Sequence, residues 1–405
     1  MDLASVTRAC DSPATRFTRD RLTWMAYLLL AYFAYLVSIL GPILPFLREQ
    51  LRLTYAGVSL HLSALAAGEI AAGLLGDWVV RVLGRWAALW TGAVGMAVGA
   101  LLLCFGADFR ITLSGCALMG LLGSLQLVLI PAILADRHGE QRTVAVTESN
   151  VASSVSPILG ALSVGAFTAI GLGWRGAVLA ALAFLGIMIA SFGRVRLPMQ
   201  LPAAGGSGRV SDRLPQAFWA YCVVIFFVVS VEFCMVLWGT EFLHTILKLP
   251  TAQAASAFGL FFAAMLLGRI TGSWFSRRIS GRKLIRASLA IAATGFVLYS
   301  AFSFTTVSLT GLFLTGLGIA NLYPITLSLA LGLAPGRSDT ASARATLAVG
   351  TAIMLAPLAL GALGDALGLQ AAHAVVPALL ALAWGGLEAA DRLSGGRNLQ
   401  MTDDK

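Results

Sequence analysis

Glu232 is the residue whose position most needs a chemical reason. It stands in the run Val228, Val229, Ser230, Val231, Glu232, Phe233, Cys234, with no basic residue within one helical turn. A charge at the centre of a bilayer costs about 2.5–3.5 kcal/mol or more and usually marks a pathway. An isolated carboxylate at that depth can take up and release a proton. Glu232 is therefore expected to carry proton coupling or to touch a substrate; the plainer alternative is a neutral Glu that ties two helices together. Glu69 is a second proton candidate. Small residues flank it (Ala66, Ala67, Gly68, Ala71, Ala72, Gly73) and would let helices approach closely, so it too could be a helix-bonding group. Arg269 is the one basic residue left inside an apolar run. It could pair with Glu232, bind an anionic substrate, or snorkel toward the membrane edge near Arg277. Pairing would hold Glu232 ionised and weaken coupling, so the first two roles compete.

A second set of residues lies where one apolar run ends and the next begins: Gly73, Gly76, Asp77, Arg81, Gly84 and Arg85. Asp77 would end a helix, where the helix dipole is unfavourable for an anion. It therefore calls for a partner, either Arg85 or a helix N-terminus from elsewhere in the chain. Glu148 and Asn150 open a later apolar run, after the charged loop 136–142. They read as partners of neighbouring basic ends. Glu241 and Asp365 lie near the outer ends of their runs, where water lowers the cost of charge, and are weak candidates.

These residues must be positioned by membrane helices. The chain has 405 residues, 58% hydrophobic and only 12% charged, with mean hydropathy +0.84. Soluble domains carry about 25% charged residues. Many apolar runs exceed the ~20 residues that cross the hydrocarbon core as a helix, and the short alternating segments of a barrel are absent. The fold class is thus an all-α membrane bundle. Twelve spans can be marked, at 22–47, 54–79, 86–106, 110–135, 144–170, 174–193, 217–243, 252–276, 284–304, 307–333, 343–369 and 371–390. One long interruption, 194–216, carries Pro198, Pro202 and a Gly/Ser cluster and reads as a basic linker. It divides the chain into a first half, 1–193, and a second half, 217–405. The polar, Arg-bearing start reads as a short tail before an uncleaved first span.

Alternating the spans places only Arg48, Arg52, Arg110, Arg175 and Lys248 on one side, while the other Lys and Arg outside the spans fall on the opposite side. The positive-inside rule then puts both termini in the cytoplasm. It also accounts for the net charge of +9 as topogenic, so nucleic acid is an unnecessary partner. No Gly-rich phosphate loop ending in Lys and Ser/Thr is present, which argues against ATP. No HExxH or CxxC spacing and no triad context appears, so no enzyme, metal or cofactor is expected. The odd count of five cysteines reads as small buried hydrophobes.

The halves echo each other. Gly76, Asp77, Gly84 and Arg85 follow span 2, as Gly272, Ser273, Gly281 and Arg282 follow span 8. Ser156, Pro157 and Gly160 in span 5 have a counterpart in Ala356, Pro357 and Gly361 in span 11. Matches six spans apart are the mark of a duplicated unit facing itself across a midplane cavity.

With these motifs the chain resembles the major facilitator superfamily. The stretch from Gly73 through Asp77 to Gly84 and Arg85 is similar to that family's loop 2–3 signature, with longer spacing and with Trp78 where a basic residue is usual. The resemblance implies two six-helix halves working by alternating access, with 73–86 as a latch at the cytoplasmic gate. It implies that spans 1, 4, 7 and 10 line the pocket, which makes Tyr32, Tyr35, Gln126, Glu232, Trp238, Asn321 and Tyr323 the expected substrate contacts, together with Arg269. Gly41, Pro42 and Pro45, Glu232 with Trp238, and Gly268 with Arg269 are similar to the fucose-permease-like branch, which implies proton-coupled uptake. Span 5 resembles the antiporter signature, with most of its glycines replaced by Ser or Ala, which keeps efflux of lipophilic compounds as an alternative. A membrane sensor that binds without transporting is a further one. The chain is expected to be a monomeric multi-pass protein of the plasma membrane whose partners are lipid, protons and a small solute.

Overall fold

The computed structural model describes residues 18–195, 214–302, 304–334 and 338–393. The tail before residue 18, Cys10, most of the expected linker and the last residues lie outside that set. Among the described residues twelve helices are long and apolar enough to cross a membrane: Arg21–Leu51, Tyr55–Gly76, Trp78–Phe105, Phe109–His138, Val144–Ala169, Arg175–Phe192, Gln216–Thr245, Thr251–Phe275, Gly281–Ala301, Thr305–Gly332, Arg344–Leu367 and Leu369–Leu393. They are numbered spans 1–12. One face of the bundle holds both ends of the described chain and is called the basic face; the other is the far face.

Two spans are broken at mid-depth, and proline explains both breaks. Span 1 stops at Ser38 and resumes at Leu40; span 10 stops at Ile319 and resumes at Leu322. Proline has no N–H and its ring collides with the carbonyl four residues earlier. For Pro42 that is Ser38, and for Pro324 it is Ala320, so each break falls where the collision would be. Broken helices survive inside a membrane only where other groups satisfy the freed backbone.

Spans 2 and 3 differ from the expectation of a loop between them. Helix runs unbroken from Tyr55 to Phe105 except at Gly84, whose φ of 77° turns the chain. That left-handed conformation is one a side chain would resist and glycine adopts freely. The four cysteines among the described residues are free and buried.

The start of span 1 is fixed by Asp20. Its carboxylate accepts from the Thr23 amide at 2.9 Å, the Thr23 hydroxyl at 2.7 Å and Arg137 Nε at 2.7 Å. Burial works against the charged form, but the bonds from Thr23 and Arg137 outweigh it and hold the Asp20 carboxyl below its ordinary pKa. The folded protein therefore binds fewer protons here than the unfolded chain. The contribution is complete above the unfolded value of about 3.9 and is lost as pH falls through the lower folded value. Asp20→Ala should cost about 0.5–2 kcal/mol at neutral pH, and the gap to wild type in fluorescence melts should close in acid.

Candidate functional site

Glu232 in the middle of span 7 lies within electrostatic range of Arg269 of span 8 and Tyr323 of span 10. Glu232 is half-buried, and Arg269 is the charged group whose field acts on it. Glu232 acts in turn on the half-buried Tyr323. No direct ion pair joins Glu232 to Arg269 among the described residues. Instead Arg269 Nη1 donates to Ser154 Oγ of span 5 at 3.0 Å, and so reaches across from the last six spans to the first six. The two competing roles are thus separated: Arg269 biases Glu232 through its charge and leaves both side chains their polar atoms.

Glu69 projects toward the same interior from span 2. The stripe Tyr55, Ser59, Ser63 and Ile70 meets span 11. His61, Leu65 and Gly68 meet span 4, and Leu74 is exposed to the outside. Helical periodicity leaves Glu69 on the remaining face with the buried Val58 and Leu62. It is half-buried and has no hydrogen-bond partner among the described residues.

Five other expected substrate contacts are placed in helix packing. Tyr32 is buried and donates to the Ala93 carbonyl of span 3 at 3.4 Å. Tyr35 bonds Ser163 of span 5 at 2.5 Å and donates to the Ala177 carbonyl of span 6 at 3.1 Å. Gln126 is fully buried beside Gly92 of span 3, with neither amide atom partnered among the described residues. Trp238 donates to the Pro357 carbonyl at 2.9 Å. Asn321, at the break in span 10, donates to the Gly268 carbonyl at 2.7 Å. Gly272 makes room for it, since a Cβ there would lie 2.1 Å from Asn321 Oδ1. The bond ties the break in span 10 to span 8, which is a structural task. Asn321→Ala should therefore lower stability by about 1–3 kcal/mol in thermal melts, with solute KM unchanged.

At the far face the first and last six spans are closed on each other. Arg48 meets Oε1 of the fully buried Glu241 at 2.9 and 2.8 Å, and Thr245 donates to the same oxygen at 2.9 Å. Asp365 accepts from the Tyr55 and Ala56 amides at 2.7 and 2.9 Å, so a carboxylate from span 11 caps the N-terminus of span 2. Below these, Ser59 donates to the Pro357 carbonyl at 3.2 Å and Ser63 to that of Met354 at 2.6 Å. Backbones touch as well. A Cβ on Gly41 would fall 1.8 Å from the Val236 carbonyl oxygen, one on Gly165 1.8 Å from Ser256 Oγ, and one on Gly361 2.2 Å from Ser59 Oγ. The sequence alone places Glu241 and Asp365 at outer ends, in reach of water. That depth holds for both, and Asp365 is exposed, but closure of the bundle takes Glu241 out of water.

Toward the basic face the same stripes part. Gly73 follows Ile70 on the span 2 stripe, and a Cβ there would meet nothing within 4 Å. Val151, below Ser154 on span 5, is 53% exposed. The named ion pairs at that face each stay among six neighbouring spans: Arg19 with Glu148, Arg137 with Asp20, Arg85 with Asp136, and Arg286 with Glu388 and Asp391. Among the described residues, the polar contacts named between the first and last six spans close the far face and reach no nearer the basic face than Arg269 and Ser154.

A family model described as Major Facilitator Superfamily matches residues 24–343 and 236–390. The chain belongs to the Major Facilitator Superfamily. Among relatives, an uncharacterized MFS-type transporter of Yersinia pestis is 25% identical over 232 residues, 56% of this chain and 59% of that protein, so the match spans less than two thirds of the relative. Solved structures share the fold. A bacterial homolog of the human lysosomal transporter Spinster, inward-facing and unoccupied, aligns with TM-score 0.78 at 14% identity over 92% of this chain and 96% of its own. A point mutant of the nucleoside transporter NupG aligns with 0.74 at 14% over 91% and 99%, and a D-xylose-proton symporter with 0.74 at 16% over 92% and 96%.

Arg85 pairs with Asp136 at the end of span 4. The helix runs unbroken to Gly84 and carries Arg85 around the bend. The Asp77 side chain lies outside the described set. Arg81 is exposed. Glu148 accepts from Arg19 at 2.6 and 2.8 Å and from Tyr27 at 3.1 Å, which ties span 5 to the start of span 1.

Proposed function

We propose that this superfamily member is a proton-coupled secondary transporter that takes up a small polar organic solute, and that the state described here is open to the cytoplasm. The basic face is assigned to the cytoplasm by the distribution of Lys and Arg. The two six-span halves rock about a central cavity, and Glu232 carries the proton, with Glu69 as a second carboxylate on the same cavity. The observation that carries this reading is the pairing of a sealed far face with an isolated mid-depth carboxylate that meets the opposite half through Arg269 and Ser154. A rocking halves mechanism needs a seal on one side at a time, and coupling needs a titratable group at the seam.

The test uses protein in liposomes, with a solute found by screening for thermal stabilisation, since a ligand stabilises only by binding the folded state. Labelled solute should exchange in counterflow and should accumulate when the lumen is alkaline. Binding without exchange would mean a sensor. Accumulation driven only by an acidic lumen would mean efflux by antiport.

A further inference from the structure

We infer that the solute is a small organic monoanion, and that Arg269 receives its negative charge when Glu232 is protonated. This rests on the proton-coupling reading of Glu232.

Arg269 does not behave as a snorkelling residue. It stands six residues before Phe275, about 9 Å from the end of span 8, while its partner Ser154 stands ten residues after Val144, about 15 Å from the start of span 5. The guanidinium therefore rises toward the membrane centre, away from Arg277 and Arg278 at the basic face. Arg278 lies 3.9 Å over the Trp274 ring, so a basic side chain of this segment has local partners at the edge when it uses them. A guanidinium has five N–H donors in a fork that matches a carboxylate. Among the described residues Arg269 gives one bond, to Ser154, and its side chain is exposed. Tyr323 beside it has a hydroxyl with no hydrogen-bond partner among the described residues.

The charges around Glu232 are few enough to write the linkage. Span 8 brings Arg269 and span 10 brings Tyr323; span 1 brings Tyr27, Tyr32 and Tyr35 along its length and Arg21, Arg48 and Glu49 near its ends. Spans 11 and 12 bring ionisable side chains only near their ends, at Arg344, Asp365, His373, Glu388, Asp391 and Arg392, and span 2 brings Glu69 to the same cavity. When Glu232 is ionised, its charge balances that of Arg269. When Glu232 takes a proton, the charge of Arg269 is left uncompensated within the depth of the membrane, which is costly. An anion arriving at Arg269 restores the balance. Proton and anion therefore each raise the other's affinity by the same factor, as linkage requires. One proton moving with one monoanion carries no net charge, so transport is electroneutral. A neutral solute moving with a proton would respond to membrane potential.

The experiment measures binding of lactate, gluconate and benzoate against their neutral counterparts lactamide, glucose and benzamide, in mildly acidic and mildly alkaline buffer. Both buffers stay above the acids' own pKa. At least one acid should bind where its neutral counterpart does not, about tenfold tighter or more in the acidic buffer. Arg269→Gln should lose that binding about tenfold or more, and Arg269→Lys should restore part of it, which separates charge from folding. Glu232→Gln should bind the acid equally in both buffers. In liposomes, a potassium-diffusion potential set with valinomycin should leave accumulation unchanged. The inference is overturned if no acid binds, if neutral partners bind as well, or if Arg269→Gln keeps wild-type affinity. Binding of a neutral solute that is pH-dependent through Glu232 would overturn the anion and leave the proton-coupled reading standing. Acid binding that needs Arg269 yet ignores both pH and Glu232→Gln would instead overturn the linkage and the coupling role of Glu232.

Discussion

Gly41→Val should strip the protein of the state described here. The new Cβ would lie 1.8 Å from the Val236 carbonyl oxygen and 3.0 Å from its carbon. Both are backbone atoms, so no rotamer can relieve the clash; spans 1 and 7 must separate. Overpacking of this kind costs about 1–3 kcal/mol, and each 1.4 kcal/mol is a factor of about ten in the population of closed far-face molecules. The protein escapes by staying open at that face. The readout is labelling of Ser59→Cys, a position with no exposure beneath the Asp365 cap, by a membrane-impermeant maleimide from the far side. Labelling should be slow in the otherwise wild-type background and about ten- to hundredfold faster with Gly41→Val. Gly73→Ala is the control, because a Cβ there meets nothing within 4 Å and this state should keep its protection. Equal labelling of all three backgrounds would mean that the Gly41 contact does not seal the far face.

Glu232→Gln should separate exchange from accumulation. The amide keeps the shape and hydrogen-bonding capacity of a protonated Glu but cannot release a proton. Halves loaded with solute can still rock, so counterflow should continue at a rate near wild type. Accumulation driven by an alkaline lumen should fall at least about tenfold, toward simple equilibration, because the cycle no longer couples to the gradient. A variant that retains full gradient-driven accumulation removes Glu232 from the mechanism and passes the role to Glu69, the other mid-span carboxylate, which has no hydrogen-bond partner among the described residues. Loss of counterflow as well would mark Glu232 as a solute contact first.

What the chain disclosed about itself before folding divides cleanly by physical cause. Span number and limits were legible, because crossing hydrocarbon demands a length and an apolarity that nothing else in the sequence imitates. The breaks in spans 1 and 10 were less legible, because a proline such as Pro42 or Pro324 does not by itself tell a break from a mild kink. Glu232 and Arg269 stood out because ionisable groups inside an apolar run are costly, and Tyr323 only through the family resemblance; Arg269 and Tyr323 both lie within electrostatic range of Glu232. Which face of each helix meets the cavity was much less legible. These spans are apolar all round, so Tyr32, Tyr35, Gln126, Trp238 and Asn321 could not be assigned a side by periodicity, and each turns to a neighbouring helix. Asn321 sits in the break of span 10 and bonds a carbonyl of span 8, a pairing 53 residues distant that nothing local in the sequence shows. The far-face seal was hidden for another reason. Arg48 and Glu241 are 193 residues apart in sequence, and nothing local says that two outer ends will close on one another. The scarcity of basic residues on that side, with Arg48 among the few, was the available hint.

The most direct test of proton coupling follows the proton itself. Liposomes holding the protein and the pH dye pyranine in their lumen are given solute on the outside at equal pH on both sides. Coupled uptake predicts that the lumen acidifies as solute enters down its gradient, and that Glu232→Gln abolishes the acidification while solute still exchanges. Solute entry with no change in lumenal pH, or with alkalinisation, would contradict it.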